Sequence, residues 1–245
     1  MIKRTRKTIL SCLFLLMSIF VLSAPVSAAA KDVKPVKKAV KGSKTYKIID
    51  GELVCKKSGK KTVIKKVMSS KLYSNGKTIF FDGGFADPNI YALNLKTGKT
   101  KVLFKATKGI ETEIVNSYKQ YLYVRNQKWS YAINTSTGKA RYMSCSGAGT
   151  VSIIPYKGYI YDVGYVSNKN DTLVLACYKA NGKLVRTVQG NYAGLKLVDG
   201  SLYAIKFKTD SSKNTTQYRV YKTDKLLKKM KAVTKWSKTI PKKYR

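Results

Sequence analysis

Three pairs of carboxylates lie close together in the sequence, two of them at turns and the third on one face of a strand: Asp50 with Glu52, Asp82 with Asp87, and Glu111 with Glu113. A glycosidase works with two carboxyl groups that flank the scissile bond, and a lyase acting on an acidic polysaccharide would need a tyrosine or a lysine as its base. No motif selects any of these pairs for either reaction. We therefore assign no catalytic residue, and a carbohydrate-active enzyme (a glycosidase or a lyase) is the alternative to a non-catalytic protein.

Histidine is missing from the chain, and this excludes a large class of sites. With no imidazole among 245 residues, the sequence can form neither a Ser-His-Asp triad nor a histidine-containing zinc site. Cys55, Cys145 and Cys177 lack the Cys-x-x-Cys spacing of metal ligands, and each lies in a strand-like apolar run. We expect them to be small buried side chains, and one disulfide with one remaining thiol is the alternative. The sequence predicts neither a metal site nor a cofactor.

Positive charge is the strongest chemical signal in the sequence, with 49 Lys and Arg against 12 Asp and Glu and a net charge of +37. After residue 28, lysines outnumber arginines 40 to 5. Arginine supplies the two-pronged donor that reads phosphates and base edges, whereas lysine is a mobile, hydrated point charge. This composition predicts salt-sensitive attraction to polyanions, without sequence-specific recognition of nucleic acid.

The lysines are densest near the two ends of the chain, between residues 31 and 47 and between residues 222 and 245. These segments hold the candidate polyanion-binding residues, which are Lys34, Lys37, Lys38, Lys41, Lys44, Lys228, Lys229, Lys231, Lys242 and Lys243. The expected partner is an anionic cell-wall polymer, such as a teichoic acid, or an acidic polysaccharide. The alternative is that the lysines only keep an exported protein soluble.

The first 28 residues have the pattern of a secretory signal peptide. Four basic residues precede an apolar run from Ile9 to Leu22, and small residues follow as far as Ala30. The run is shorter than the roughly 20 residues of a membrane span, so we expect cleavage after Ala28, with Ala30 as the second choice and a retained anchor as the alternative. The long basic start is typical of Gram-positive bacteria. The sequence therefore predicts a secreted, extracellular protein associated with the cell wall, with no transmembrane segment after cleavage.

A repeat of about 40 residues organises the rest of the chain. A Gly-Lys turn closes four similar phrases, and an Asp takes its place in a fifth, at positions 59, 98, 138, 182 and 224. A second marker, a short aromatic strand, recurs with a similar step at Ile79, Leu122, Ile160 and Leu202. Because two independent markers keep one period, they indicate tandem structural repeats.

Each repeat contains short runs rich in Ile, Val, Tyr, Leu and Phe, separated by the turn residues Gly, Asn, Asp and Ser. The third unit shows four such runs, at 121–125, 129–134, 140–145 and 151–155. Four short strands in a repeat of this length are typical of a β-propeller blade. The in-phase tyrosines are then expected to pack between blades: Tyr91, Tyr123, Tyr131, Tyr161 and Tyr203. Trp129 and Trp236 are better candidates for exposed rings than these tyrosines, although a core position is favoured for both.

Two repeat phrases resemble those of known propeller families. Thr78-Ile-Phe-Phe-Asp-Gly followed by Asn89-Ile-Tyr-Ala-Leu-Asn-Leu-Lys-Thr-Gly resembles a blade of the YWTD-type (LDL-receptor-like) propellers, a form also common in secreted bacterial propellers of unknown function. Tyr131-Ala-Ile-Asn-Thr-Ser-Thr-Gly-Lys is similar to the PQQ-type quinoprotein repeat. The resemblance covers residues 46 to 235 and implies a propeller. It implies no quinone cofactor and no particular receptor ligand, because the YWTD tetrad is degenerate in every repeat and the tryptophan that closes a PQQ repeat is missing.

The sequence as a whole predicts an all-β protein, a β-propeller of about five four-stranded repeats whose first unit is incomplete. That unit is short because only six residues separate Leu53 from Gly59. We expect a five-bladed ring whose last blade is completed by strands from both termini, while a four-bladed ring and an open stack of sheets remain alternatives.

The predicted organisation is a signal peptide at 1–28, a Lys-rich linker at 29–45, the repeat domain at 46–240 and a basic tail at 241–245. The predicted function is that of a secreted, non-catalytic binding module, held at the cell envelope by electrostatic contact with anionic polymers. A protein partner on the face of the propeller is a further option.

Overall fold

The computed structural model describes residues 31–67, 71–83, 87–107, 110–126, 129–145, 153–164 and 173–245, with the backbone alone at 144 and 145. The expected signal peptide lies outside these residues. Two short 3-10 helices, Ser211–Lys213 and Lys242–Tyr244, accompany the strands. Within the described ranges, no helix combines the length and the apolar character that crossing a membrane requires.

The described residues form 21 strands in five antiparallel sheets. An N-terminal strand, β1, spans Lys34–Val36. Sheet 1 contains β2 (Lys38–Lys41), β3 (Lys44–Ile49), β4 (Glu52–Lys57) and β5 (Lys60–Lys66). Sheet 2 contains β6 (Leu72–Ser74), β7 (Thr78–Asp82), β8 (Ile90–Asn94) and β9 (Thr100–Phe104). Sheet 3 contains β10 (Thr112–Tyr118), β11 (Tyr121–Asn126), β12 (Trp129–Asn134) and β13 (Ala140–Cys145). Sheet 4 contains β14 (Ile154–Tyr156), β15 (Tyr159–Gly164), β16 (Val174–Lys179) and β17 (Leu184–Gln189). Sheet 5 contains β18 (Tyr192–Val198), β19 (Ser201–Asp210), β20 (Thr215–Thr223) and β21 (Met230–Ala232).

Every sheet is an up-and-down meander in which strands adjacent in sequence pair with each other. The single addition is β1, which pairs with β6 in the register Pro35–Tyr73 and gives sheet 2 a fifth strand. Five consecutive four-stranded meanders, packed side by side in chain order, are the blades of a β-propeller. The all-β fold of five repeats is thereby confirmed.

The hydrophobic core is divided among the interfaces between successive sheets. Because side chains alternate along a strand, Leu122 and Val124 of β11 pack with sheet 2, whereas Tyr123 between them packs with sheet 4. The outer side of sheet 5 is covered by Ile240 and Tyr244 of the C-terminal segment. Each blade therefore depends on a neighbour or on this segment to bury its apolar faces.

The first unit is complete, which corrects the expectation of an incomplete one. Its second strand is β3, and the third residue of that strand, Tyr46, corresponds to the third residues of the other second strands: Phe80, Tyr123, Tyr161 and Tyr203. A two-residue turn at Asp50–Gly51, with φ values of 50° and 70°, joins β3 to β4, whereas longer connections join the second and third strands of sheets 2, 4 and 5. Leu53 therefore lies in the third strand and not in the second.

The expected linker and tail are also part of the folded structure. Residues 34–36 and 38–41 form β1 and β2, in which the lysines are exposed and Ala39 is buried, and Val33 is buried just before β1. The N-terminal strand joins sheet 2, and sheet 5 is completed by its own β21, so the last blade does not combine both termini. In the expected tail, the ring of Tyr244 packs on Tyr203 at 4.9 Å between centroids.

The cysteines occupy small-residue positions beside the repeated aromatic ring. Cys55 lies opposite Tyr46 and Cys177 lies opposite Tyr161, while alanines take the same place in sheets 2 and 3. Both thiols are free, and Cys177 is fully buried. These two cysteines act as small packing residues, as expected, and the side chain of Cys145 lies outside the described residues.

Candidate polyanion-binding site

In an up-and-down sheet, the turn between the first two strands and the turn between the last two lie at the same end. In sheets 3, 4 and 5 these turns approach one another and enclose two shallow depressions. We call this surface the turn face and define it by its lysines, which are Lys119, Lys157, Lys179, Lys222, Lys225, Lys229 and Lys231.

The local sequence explains why the chain turns at these points. Lys157 and Gly158 both have positive φ, 45° and 86°, as a tight two-residue hairpin turn requires. In the last turn of sheet 4, Gly182 has a φ of 78°. In the last turn of sheet 5, the Asp224 carboxylate accepts a hydrogen bond of 2.7 Å from the backbone N–H of Lys228, which closes the turn.

The larger depression has a volume of about 500 Å³ and lies between sheets 3, 4 and 5. Four lysines from four different turns line it: Lys119, Lys157, Lys179 and Lys225. Tyr121 and Tyr159 contribute rings, and all the acidic residues of the described chain lie outside its lining. The lining therefore contains no carboxylate that could balance the charge of the four lysines.

The smaller depression, of about 390 Å³, adjoins the first along sheet 5. It shares Lys157 and Lys225 with its neighbour and adds Lys222, Lys229 and Lys231. Asp224 also lines it, but this carboxylate already caps its own turn. Like charges gathered in this way create a positive potential that attracts extended anions.

Two buried tyrosines hold the turns of the site from the sheet below. The hydroxyl of Tyr123 in sheet 3 donates to the carbonyl of Ala180 in sheet 4 at 2.8 Å. At the equivalent position, the hydroxyl of Tyr161 in sheet 4 donates to the carbonyl of Lys225 in sheet 5. Burial, more than any nearby group, raises the pKa of both phenols, so both remain protonated donors.

Tyrosine rings lie under several of the lysines. The ammonium of Lys225 is 5.2 Å from the ring centroid of Tyr159, and that of Lys157 is 5.2 Å from the ring of Tyr156. At these distances the electron-rich ring face attracts the cation. The rings orient the lysines without neutralising their charge, and this leaves the ammonium groups able to bind an anion.

The lysines predicted from their density along the chain are spread over several surfaces. Lys229 and Lys231 line the smaller depression, and Lys243 pairs with Asp199 in an adjoining turn at 2.8 Å. The N-terminal set lies on β1, β2, β3 and the residue between the first two, and none of its lysines is among the lining residues of either depression: Lys34, Lys37, Lys38, Lys41 and Lys44. Lys228 and Lys242 are exposed and line neither depression.

The sequence reasoning missed five lysines of the turn face: Lys119, Lys157, Lys179, Lys222 and Lys225. All five lie at or beside a turn of the repeat, and the turn at Lys157–Gly158 is visible in the sequence. The usable signal was therefore the position of a lysine within the repeat, because residues at equivalent turns meet at one end of adjacent blades.

The tyrosines that recur with the repeat are buried or half-buried, as predicted. Tyr123, Tyr161 and Tyr203 are buried. Tyr91 stacks on Phe81 at 5.6 Å and Tyr131 packs on Phe104 at 5.4 Å between ring centroids. Trp129 and Trp236 are both half-buried.

Four of the six carboxylates in the sequence pairs are held by a cation or lie in a turn, and Asp82 is fully buried at the end of β7. Asp50 forms the short hairpin turn of sheet 1. Glu52 lies 3.7 Å from Lys61, and Glu113 lies 3.6 Å from Arg125. Asp87 lies 2.6 Å from Lys65. In the part of the chain that the structure describes, no three acidic or cysteine side chains come together as a metal site would require.

The chain matches no protein-family model and no curated protein. Among solved structures it is similar to the N-terminal domain of Nup159, with a TM-score of 0.49 and 9% identity over 84% of this chain and 68% of that one. It is similar to a prolyl endopeptidase, with a TM-score of 0.44 and 15% identity over 84% and 42% of the two chains. It is also similar to BamB from Moraxella catarrhalis, with a TM-score of 0.34 and 15% identity over 68% of each chain.

Proposed function

We propose that this protein is a secreted, non-catalytic binding module, held at the cell envelope because its turn face captures anionic polymers such as teichoic acid. The observation that carries the proposal is the gathering of seven lysines and one carboxylate around two adjoining depressions. The basic and apolar N-terminal pattern supports export, and outside a Gram-positive cell the teichoic acids are abundant polyanions.

The backbone at two of these lysines supports a role in binding. Lys119 and Lys157 have φ values of 53° and 45°, a region that costs a lysine roughly 1 kcal/mol and that Gly, Asn or Asp adopts more easily. The turns at Asp50 and Asp199 use aspartate under the same strain. Lysine is thus present at two turns whose backbone would favour Gly, Asn or Asp, and both of these lysines line the larger depression.

Cosedimentation with purified Gram-positive cell walls tests the proposal. The protein is mixed with intact walls and with walls stripped of teichoic acid, across a salt series. Binding should weaken by at least about tenfold between low and physiological salt, because captured polyanions release their counterions, and it should disappear on stripped walls. Equal binding to both kinds of wall would contradict the proposal.

Charge reversal separates the turn face from net charge. Lys157→Glu with Lys225→Glu should abolish binding, since both lysines border both depressions. The matched control is Lys66→Glu with Lys101→Glu, which changes the net charge equally at exposed strand positions outside the depressions. If both double variants lose binding alike, diffuse charge is responsible. Soluble sugar fragments released from the walls would indicate an enzyme instead.

A further inference from the structure

A second cationic surface lies on the long hairpin of sheet 5. Its strands, β19 and β20, have 10 and 9 residues, against five or six for the second and third strands of the other sheets. The surface is formed by six residues, and we call it the hairpin surface: Lys206, Lys208, Gln217, Arg219, Tyr221 and Trp236.

The strand register places these side chains on one face. Lys206 lies opposite Arg219, Lys208 lies opposite Gln217, and Tyr221 is two residues from Arg219. The C-terminal segment adds a further row, because Tyr218 and Ser237 form an antiparallel bridge with hydrogen bonds of 2.7 and 3.0 Å. This pairing sets Trp236 beside Arg219, since opposite residues of an antiparallel pair share a face.

Cations and rings alternate across the hairpin surface. The ammonium of Lys206 lies 5.1 Å from the ring centroid of Tyr192 and 5.4 Å from that of Tyr221. The ammonium of Lys208 lies 4.8 Å from the ring of Trp236. These contacts hold the lysines by their attraction to the rings, without pairing them to a carboxylate.

Arg219 is the group best arranged to bind an added anion. Its Nε donates to the carbonyl of Thr234 at 3.1 Å, and its guanidinium carbon lies 5.5 Å from the ring of Tyr221. The side chain is therefore fixed by one nitrogen and one ring face, which leaves the two terminal nitrogens for a bidentate contact with a carboxylate. The carboxylate of the hairpin tip, Asp210, is engaged by the Ser212 hydroxyl at 2.6 Å.

We infer that the hairpin surface binds a carboxylated sugar, the hexuronate unit of an acidic polysaccharide. A pyranose ring presents an apolar face that can stack on the half-buried indole of Trp236, while its carboxylate can bind the arginine fork. A phosphate polymer lacks the apolar face and a neutral sugar lacks the charge. This site is separate from the turn face and does not depend on the function proposed for that face.

Calorimetric titration of the purified protein with polygalacturonate tests the inference, with the methyl-esterified polymer as the neutral counterpart. We expect saturable binding of the acid polymer at physiological salt and none of the ester. Trp236→Ala should weaken binding about tenfold, the scale of a lost aromatic stack. Arg219→Lys keeps the charge but loses the fork and should weaken it about fivefold. Lys235→Ala, at an exposed neighbouring position, should bind as the parent does.

Thermal melting checks that each variant is folded. If Trp236→Ala does not fold, Arg219→Lys still tests the inference. Equal binding of the ester, or unchanged affinity in both folded variants, would overturn the inference. Stronger binding of single-stranded oligothymidylate would assign the surface to nucleic acid and overturn it as well. The turn-face variant Lys157→Glu with Lys225→Glu should retain hexuronate binding, and its loss would move this ligand to the turn face.

Discussion

The hydroxyl of Tyr123 in sheet 3 donates a 2.8 Å hydrogen bond to the backbone carbonyl of Ala180, in the last turn of sheet 4. The equivalent Tyr161 makes the same kind of bond to Lys225 in sheet 5. In each case a buried phenol of one blade holds a turn of the next blade, and both turns border the turn face. Blade packing and the shape of the candidate site therefore rest on the same contacts.

Removing either hydroxyl should cost stability, because the hydrogen bond between a buried tyrosine and a turn of the next blade would be lost. We expect Tyr123→Phe and Tyr161→Phe each to lower the free energy of unfolding by about 0.5–1.5 kcal/mol, measured by urea denaturation. Tyr131→Phe is the matched control, since the ring of Tyr131 packs on Phe104 at 5.4 Å and this contact is retained. A loss in the control as large as in the variants would show that the hydrogen bonds contribute little.

Because the turn at Lys157 is strained, a substitution there should raise stability while it weakens binding. Lys157→Asn places a residue that tolerates the left-handed conformation at a φ of 45°, so the free energy of unfolding should rise by about 0.5–1 kcal/mol. Binding to cell walls should weaken, because one lysine shared by both depressions is lost. Lys101→Asn, in the exposed strand β9, should show neither effect. Unchanged wall binding by Lys157→Asn would argue against the turn-face proposal.

Asp87 links sheet 1 to sheet 2 and predicts a sensitivity to acid. Its carboxylate lies 2.6 Å from the Lys65 ammonium and accepts a 2.5 Å hydrogen bond from the Tyr91 hydroxyl. Partial burial opposes ionisation, but the bonds from Lys65, Tyr91 and the Asn89 backbone outweigh it and lower the pKa of Asp87 to about 2. Because the folded state favours the carboxylate, this stabilisation is complete above the ordinary pKa of 3.8 and is lost as the pH falls towards 2.

We therefore expect Asp87→Asn to lower the free energy of unfolding at pH 7 by about 1–2 kcal/mol. The gap between the parent and the variant should shrink as the pH falls from 4 towards 2. Urea denaturation at a series of pH values measures this gap. A gap that stays constant over the series would mean that packing, and not charge, accounts for the effect of the substitution.

The thiol of Cys177 should resist alkylation in the folded protein. Burial raises its pKa to about 11, and the reactive thiolate is therefore scarce at neutral pH. Treatment with iodoacetamide at pH 8 should leave Cys177 unmodified until a denaturant is added, as read by mass spectrometry of its peptide. Rapid labelling in the native state, or a disulfide involving Cys177, would contradict this packing role.

Much of the fold could be predicted because the turns are encoded locally. Gly98, Gly138 and Gly182 have φ values of 72°, 74° and 78°, which glycine adopts with little cost. Asn94 accepts hydrogen bonds from the N–H groups of the two residues that follow Leu95, and Asn134 does the same one unit later. Recurrence of this local chemistry is what made the period visible.

The first unit could not be assigned in this way. Its lysines hide the strand pattern, because β2 carries Lys38 and Lys41 at exposed positions on either side of the buried Ala39. Its short turn at Asp50–Gly51 then breaks the spacing on which the period depends. The candidate site was missed for a different reason: charge density along the chain does not report which turns meet in space.

Changes in the C-terminal segment, which begins at residue 234, should have the largest effect on stability. Its Ile240 and Tyr244 cover Tyr203, Ile205 and Val220 on the outer side of sheet 5, a position that the next blade would otherwise occupy. Tyr244→Ala should lower the free energy of unfolding by about 1–3 kcal/mol, since it removes a partly buried ring. Truncation after Val233 should cost more and expose an apolar surface that promotes aggregation.

The control lies in the same segment. Lys242→Ala with Lys243→Ala should leave the free energy of unfolding nearly unchanged, because Lys242 forms no ion pair with any residue that the structure describes and the exposed pair of Lys243 with Asp199 contributes little. Urea denaturation and light scattering on the three variants compare packing with charge. If the lysine variant proved the least stable, the segment would be an electrostatic tail, as its composition suggests, and the packing of Tyr244 on Tyr203 would be incidental.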